Sequence, residues 1–510
     1  MSAKASLQLG SEFPFLAGAI RRLGLLFGLL QIQPLDISES PGFREPAARA
    51  LRPIYVGVVI TMLGTKHRVQ RSGKDSRWLR DRLLHESEQT NIAELLARIF
   101  EQLAAESGGC NFSVLLWDGS RWSSGLNSRF TIVIRSPQTL RAILTHLSEL
   151  RLAEAYIFGD IEIEGDLAAA VSVVERILTR HHNGLEQIRL ALPLLLSIPT
   201  TEHNGHEAAP AHLPGRIHSE RRDRAAIHFH YDLSNDFYAI WLDKRMVYSC
   251  AYFEDERDDL DKAQEQKLDH ICRKLRLKPG ERLLDVGCGW GGLIIHAAAN
   301  YGVRATGITL SREQANLAAA RIQAAGISDR CSVEFGDYRE HRVSEQYDKI
   351  ASVGMFEHVG EKHLPEYFAV VYRLLRRGGV FLNHGIAAGR DTAEGCNPFL
   401  ARYVFPDGEL VPIHTTLSIA ESAGFEVRDV ESLREHYVLT LDRWRSRLES
   451  QHDKACKVVD ETTFRTWKLY LAGCAHAFST RRLNLYQVLS SNSGSGWSAL
   501  PLTRKDWYCS

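Results

Sequence analysis

No charge of either sign is in excess along this chain: Lys plus Arg and Asp plus Glu both number 62. A global field that would attract nucleic acid is therefore absent, and a membrane partner would need a local patch. The nine cysteines are odd in number and scattered, and no CxxC occurs. That usage fits reduced, cytosolic thiols better than a disulfide framework or a zinc site. Long apolar runs are missing as well. LGLLFGLL (23–30), after Arg21 and Arg22, and IYVGVVITMLG (54–64), ahead of a basic stretch from Lys66 to Arg82, fall short of a membrane span, which needs roughly 20 apolar residues. No small-residue cleavage site follows the first run, so a signal peptide is not expected. The two runs read either as helices packing on the protein or as a segment at a membrane surface with basic flanks.

What is present is an ordinary globular composition, 44% hydrophobic and 24% charged over 510 residues, enough for roughly two to four domains. Residues 1–90 form an extension without a motif. Residues 91–200 read as a small α+β domain. The helical IAELLARIFEQLAAE leads to strand-like FSVLLWDG and RFTIVIRS, then to a helix over TLRAILTHLSEL, and DIEIEGD alternates as a strand does. Residues 201–222 are polar and rich in Pro, Gly and His, the composition of a linker. A larger domain is expected over 223–490 and a tail over 491–510.

From about residue 282 strands and helices alternate: RLLDVG, WGGLIIHAAANYG, VRATGITL, SREQANLAAARIQAAG, CSVEFGD, YDKIASVG, HLPEYFAVVYRLLRRGG and VFLNHGI. This pattern predicts a parallel, doubly wound α/β domain, with ligands at the carboxyl ends of its strands. The first strand runs into DVGCGWGG, where Gly287, Gly289 and Gly292 satisfy G-x-G-x-x-G. Asp285 before the first glycine favours S-adenosylmethionine over a dinucleotide. So does the second strand, which ends in Thr309-Leu310 and not in an acid that would grip an NAD ribose. Ser311 and Gln314 also fit a capping box, which by itself explains both residues without a ligand.

SVGMFEHVG (352–360) sets Glu357 and His358 in an apolar, glycine-bounded run at one of these strand ends. A carboxylate there is costly unless something holds it. His228, His230 and Asp232 have an H-x-H-x-D spacing, but three ligands on one strand are a weak case, and no metal is expected.

HYDLSNDFY (230–238), MVYSCAYF (246–253), LLDVGCGWGG, GITLSREQ, SVGMFEHVG, YVFPDGEL (403–410) and YLAGCAHAFSTRRLNLYQVL together resemble the cyclopropane-fatty-acyl-phospholipid synthases and the related mycolic acid cyclopropane synthases. The likeness covers residues 225–490 closely and 130–170 loosely. It implies a Rossmann-like class I S-adenosylmethionine methyltransferase domain beside the smaller α+β domain. It also implies methyl transfer to the cis double bond of an acyl chain in a membrane phospholipid. The enzyme would then work from the cytoplasm as a peripheral membrane protein, with homodimerisation left open.

The resemblance further implies bound bicarbonate as the base. It places Glu357, His384, Tyr437, Cys250 and the main chain of Ile386 around that anion, and Cys474 at a position traditionally assigned to the active site. Its methyl-donor contacts fall on Tyr248, Ser249, Gly287, Gly289, Thr309, Leu310, Gln314, Asp337 and Tyr338. Phe253, Phe356 and Tyr437 are candidate aromatic faces for a carbocation. The acyl-side wall is expected from 223–260 and 440–490. Two other readings share these motifs: methyl or methylene branching of an acyl chain or another lipid-like substrate, and a lipid-binding protein with a degenerate methyl-donor fold.

Overall fold

The computed structural model describes residues 92–145, 147–179, 222, 233–389, 397–494, 496–498 and 500–508, all within one unit, Asp75–Ser510. The two apolar N-terminal stretches, the 201–222 linker apart from Arg222, and the His228/His230/Asp232 triplet lie outside these residues.

In the N-terminal part, α1 (Ile92–Glu106) precedes β1 (Phe112–Leu115), β2 (Arg121–Ser123) and β3 (Phe130–Ile134). Next come α2 (Pro137–Thr145), α3 (Glu149–Ile157), β4 (Ile161–Gly165) and α4 (Leu167–Thr179). The sheet order is β2-β1-β3-β4, with β1 and β3 parallel. Phe100, Phe112, Val114, Phe130, Leu140 and Val173 fill its core. The single helix expected over TLRAILTHLSEL is divided in two. Ser148 adopts an extended backbone and its side chain accepts the Arg151 N–H, so a new helix starts there. β2 has no apolar alternation; its pairing with β1 makes it a strand.

The larger part begins with α5 (Asn235–Trp241) and α6 (Leu260–Leu275). Strand and helix then alternate: β5 (Arg282–Val286), α7 (Gly292–Tyr301), β6 (Arg304–Thr309), α8 (Arg312–Ala324), β7 (Cys331–Phe335), β8 (Tyr347–Val353), α9 (Leu364–Leu374) and β9 (Leu375–Ala388). The chain continues through α10 (Pro398–Tyr403), α11 (Ile413–Ser422), β10 (Glu426–Ser432), α12 (Arg434–Ser450), α13 (His452–Ala455), α14 (Glu461–Ser479), β11 (Leu483–Ser491) and α15 (Lys505–Tyr508).

The sheet order is β10-β11-β9-β8-β5-β6-β7. From β9 to β7 all pairs are parallel, and β11 runs antiparallel to both of its neighbours. β5 is therefore the strand at which the winding reverses: β6 and β7 extend to one side of it, β8 and β9 to the other. A crevice is expected at the carboxyl ends of strands at such a reversal.

Trp507 is buried against α6, with the Arg276 guanidinium 5.0 Å from its ring centre and an Arg276–Asp506 ion pair of 2.6 Å. An aromatic ring next to an acid matches the basic end of α6, which supplies Arg273 and Lys274 in its last turn. The two parts of the chain meet along α14. Arg465 donates to the Tyr156 carbonyl at 3.1 Å and pairs with Glu162, while His476 and Arg482 both hold Glu175 of α4.

Candidate active site

Two cavities adjoin at the carboxyl ends of β5, β6, β8 and β9. The first is lined by Tyr248, Ser249, Gly287, Gly289, Thr309, Leu310, Gln314 and Tyr338, with Lys267, Asp285 and Trp290. The second is lined by Cys250, Glu357, His384, Ile386, Tyr437 and Cys474 among largely apolar neighbours. Tyr248, Ser249, Gly354 and His358 line both cavities and so form the passage between them.

The first cavity owes its shape to the glycine loop. Gly287 sits at φ +82°, and a Cβ there would come within 2.7 Å of the Met355 side chain. Only glycine satisfies both restrictions, and the backbone can then approach a ligand closely. The capping box expected at Ser311 is built in a modified form. Ser311 Oγ caps the Gln314 N–H at 3.3 Å. The return arm passes through Thr309, whose Oγ1 accepts the Ser311 N–H at 3.2 Å and donates to Gln314 Oε1 at 2.7 Å. Thr309 and Gln314 thus serve both the helix start and the cavity lining, while Ser311 caps from outside the lining.

Asp337 departs from the expected set. It is buried but does not line the cavity; its carboxylate takes the Arg339 guanidinium at 2.7 and 3.0 Å and the Arg339 N–H at 3.0 Å. A bidentate charge-assisted pair occupies both of its oxygens.

Lys267 was not legible in the sequence. It is fully buried on α6 and donates to Ser249 Oγ at 2.9 Å. Burial pushes its ammonium down to about 8 and the Asp285 carboxyl up to about 7. The only sequence signal was a lysine at an inward position of an amphipathic helix.

In the second cavity, Glu357 lies in a short 3-10 turn after β8, Phe356–His358. Its Oε1 accepts the Ile386 N–H at 2.8 Å, while its Oε2 is buried without a hydrogen-bond partner among the described residues. The Ile386 N–H, part of the main chain expected to hold an anion, is thus committed to the Glu357 carboxylate. Burial raises the Glu357 carboxyl to about 7, against the opposing pull of the Ile386 N–H.

His384 is held from β11. The Gln487 Nε2 donates to His384 Nδ1 at 3.1 Å, so the proton of the neutral ring sits on Nε2, which is buried and has no partner among the described residues. Burial holds the imidazole well below its usual range and keeps it neutral. Burial also pushes the Tyr437 hydroxyl and the Cys250 thiol up, so neither is an anion at neutral pH.

Cys474 is partly buried, packs against the core and also lines the second cavity. Tyr437 lines the cavity as expected, but Phe253 and Phe356 do not. Phe253 lies near His436, and Phe356 is wedged against Tyr367 and beneath Gly385. The aromatic lining comes from Phe405, Tyr470 and Phe478 as well as Tyr437 and Tyr248. Tyr248 and Tyr470 touch through their hydroxyls at 3.2 Å, joining the passage to α14.

The expected wall from 440–490 is supplied by Leu441, Tyr470, Cys474, Phe478, Leu483 and Leu485. A contribution from Leu400, Phe405, Gly408 and Leu410 was missed. The apolar residues around the FPDG turn were its only sequence signal. Arg222 fixes that turn through a bidentate pair with Asp407, 2.5 and 2.9 Å long.

Comparison with known proteins agrees with this geometry. A family model described as mycolic acid cyclopropane synthetase matches residues 218–488, and a domain of unknown function matches 99–185. A probable fatty acid methyltransferase of Pseudomonas putida is 43% identical over 398 residues, covering 77% of this chain and 95% of that one. The cyclopropane-fatty-acyl-phospholipid synthase of Escherichia coli K12 is 40% identical over 262 residues, 51% of this chain and 66% of that one. The crystal structure of mycolic acid cyclopropane synthase CmaA1 complexed with SAH and CTAB is similar with a TM-score of 0.50 and 34% identity, over 52% of this chain and 97% of that one.

Proposed function

We propose, from the premise that this chain belongs to the mycolic acid cyclopropane synthetase family and is an S-adenosylmethionine-dependent methyltransferase acting on fatty acyl chains, that it converts the cis double bond of an unsaturated phospholipid acyl chain into a cyclopropane ring. The observation that carries the reading is the pair of adjoining cavities. One has the glycine loop and polar lining suited to the methyl donor; the other is apolar, with a few buried polar groups at the end near the passage.

The sulfonium makes the methyl group strongly electrophilic, which offsets the weak nucleophilicity of an alkene. Methyl addition leaves a carbocation, and one proton must depart before a ring can close. Bicarbonate, when bound among Glu357, His384 and Tyr437, would supply the base for that proton. The residues fit such an anion. Among the described residues Glu357 Oε2 is an orphan acceptor and His384 Nε2–H an orphan donor, both buried beside the same cavity. A carboxylate beside an anion is repulsive unless a proton lies between them, and Glu357 accepting the bicarbonate O–H provides it. Ile386 holds Glu357 from behind, Gln487 fixes the His384 tautomer, and the aromatic rings of the cavity offer π faces to developing positive charge.

A second reading is favoured by the name of the Pseudomonas putida relative, a probable fatty acid methyltransferase that matches along most of its length. Here the chain would receive a methyl or methylene branch with no ring. One experiment separates the two. The full chain is incubated with S-adenosylmethionine and vesicles of cis-monounsaturated phospholipid, with and without bicarbonate. Acyl mass and proton NMR are then read. Chains one methylene heavier with ring protons, formed faster with bicarbonate, are expected. The same mass without ring protons selects the branching reaction, and no mass change removes the phospholipid acyl chain as substrate.

A further inference from the structure

A second constellation lies away from both cavities, where α12 ends and α14 begins. We propose that His452, Cys456 and Glu461 form a binding site for one zinc-type divalent metal ion, which clips α13, just after α12, to the first turn of α14. His452 and Cys456 are four positions apart, with three residues between them, across a single helical turn, and Glu461 is the first residue of α14. The spacing H-x3-C-x4-E has no paired cysteine, so the absence of CxxC hides it.

Distances carry the proposal. His452 Nε2 and Glu461 Oε2 are 2.9 Å apart, Cys456 Sγ and Glu461 Oε2 3.3 Å, and Cys456 Sγ and His452 Nε2 3.5 Å. Tetrahedral zinc with bonds of about 2.0–2.3 Å places adjacent ligand atoms roughly 3.3–3.6 Å apart. The triangle thus needs only a few tenths of an ångström of opening on one edge. All three ligand atoms lie within 4.8 Å of one another.

Orientation is already set. His452 Nδ1 lies 3.3 Å from the Asp453 carboxylate, the outer partner that a metal-bound imidazole commonly has. The Phe464 ring packs against the His452 ring at near right angles, centroids 4.7 Å apart and planes at 87°, which restricts the plane of the imidazole. Glu461 Oε1 is held by Arg465 Nε at 2.9 Å, which leaves Oε2 to face the other two ligands. A thiolate and a carboxylate together neutralise a divalent cation, and the imidazole binds as the neutral ring. His452 and Glu461 are about half exposed, so an ion can enter and water can complete a fourth position.

The consequence reaches the acyl-side cavity. α12 contributes Tyr437 and Leu441 to its wall, and α14 contributes Tyr470, Cys474 and Phe478. An ion joining α13, which directly follows α12, to the start of α14 braces that wall without touching the chemistry.

The test is Zn2+ titration of the full chain against a chromophoric chelator, with Co2+ as the spectroscopic probe. Cys456→Ser and His452→Gln are the variants, and retained S-adenosylmethionine binding checks that each is folded. The parent is expected to show a cobalt–thiolate charge-transfer band, one zinc equivalent and a rise in Tm with Zn2+. Cys456→Ser should lose the band, and each variant should bind that equivalent at least tenfold more weakly, with the Tm rise abolished. No thiolate band in the parent, or a band and zinc affinity unchanged by Cys456→Ser, overturns the proposal. That second outcome would place the metal on other cysteines or histidines.

Discussion

Glu357 and Ile386 meet across the ends of β8 and β9. The Ile386 N–H is donated to Glu357 Oε1 at 2.8 Å, and Glu357 Oε2, next to the acyl-side cavity, has no partner among the described residues. One oxygen fixes the carboxylate and the other is available to a ligand. The same arrangement makes the residue costly to ionise, because one neutral hydrogen bond does not replace the water it has lost.

Glu357→Gln keeps the side-chain shape and removes the ability to accept a proton-bearing anion at Oε2. Affinity for S-adenosylmethionine should be unchanged, while kcat falls by about 10²–10⁴-fold, the usual contribution of a positioned acid–base group. Equilibrium binding of the methyl donor beside single-turnover product formation checks it. Near-parental turnover would remove Glu357 from the reaction.

The same variant reports on pH. The Glu357 carboxyl is raised by burial from 4.5 to about 7, so the folded state holds the proton more tightly than the unfolded state. Its contribution to stability is intact below pH 4.5 and is lost as pH rises towards 7. Glu357→Gln should therefore gain stability relative to the parent across that window, reaching roughly 3 kcal/mol by neutral pH. Denaturant unfolding of both proteins at pH 5 and pH 7.5 measures this, and a pH-independent difference would contradict it.

Gln487→Leu removes the donor to His384 Nδ1. The ring then loses its fixed tautomer, and kcat should fall at least tenfold with methyl-donor affinity unaffected. The Nδ1 and Nε2 nitrogen shifts of His384 in the parent and the variant are the direct readout. Identical shifts would mean that Gln487 does not set the tautomer.

Glu175 joins the small domain to α14 through His476 and Arg482, and the His476 hydrogen bond is the main reason its carboxyl is held at about 2. A lowered carboxyl stabilises the fold above pH 4.5 and ceases to do so as pH falls towards 2. Glu175→Gln should cost about 1–2 kcal/mol at pH 7. The cost should shrink through the acid window, read by thermal unfolding at pH 3 and pH 7.

Much was determined by the sequence alone. The alternation from β5 to β9 gives the parallel core, because runs bounded by glycine and helices of regular period leave few other packings. The glycine loop and the position of Glu357 at a strand end follow from the same reading. Tertiary structure alone decided the rest. The antiparallel insertion of β11 between β9 and β10 brings Gln487 to His384, two residues 103 positions apart. Lys267, Trp507 and the lining from Leu400 to Leu410 acquire their places only when distant elements pack. The Asp337 carboxylate goes to Arg339, two residues on, a pairing the motif alone did not indicate. Local period and turn chemistry are written residue by residue, whereas burial and long-range partnership are properties of the folded chain and carry no local mark.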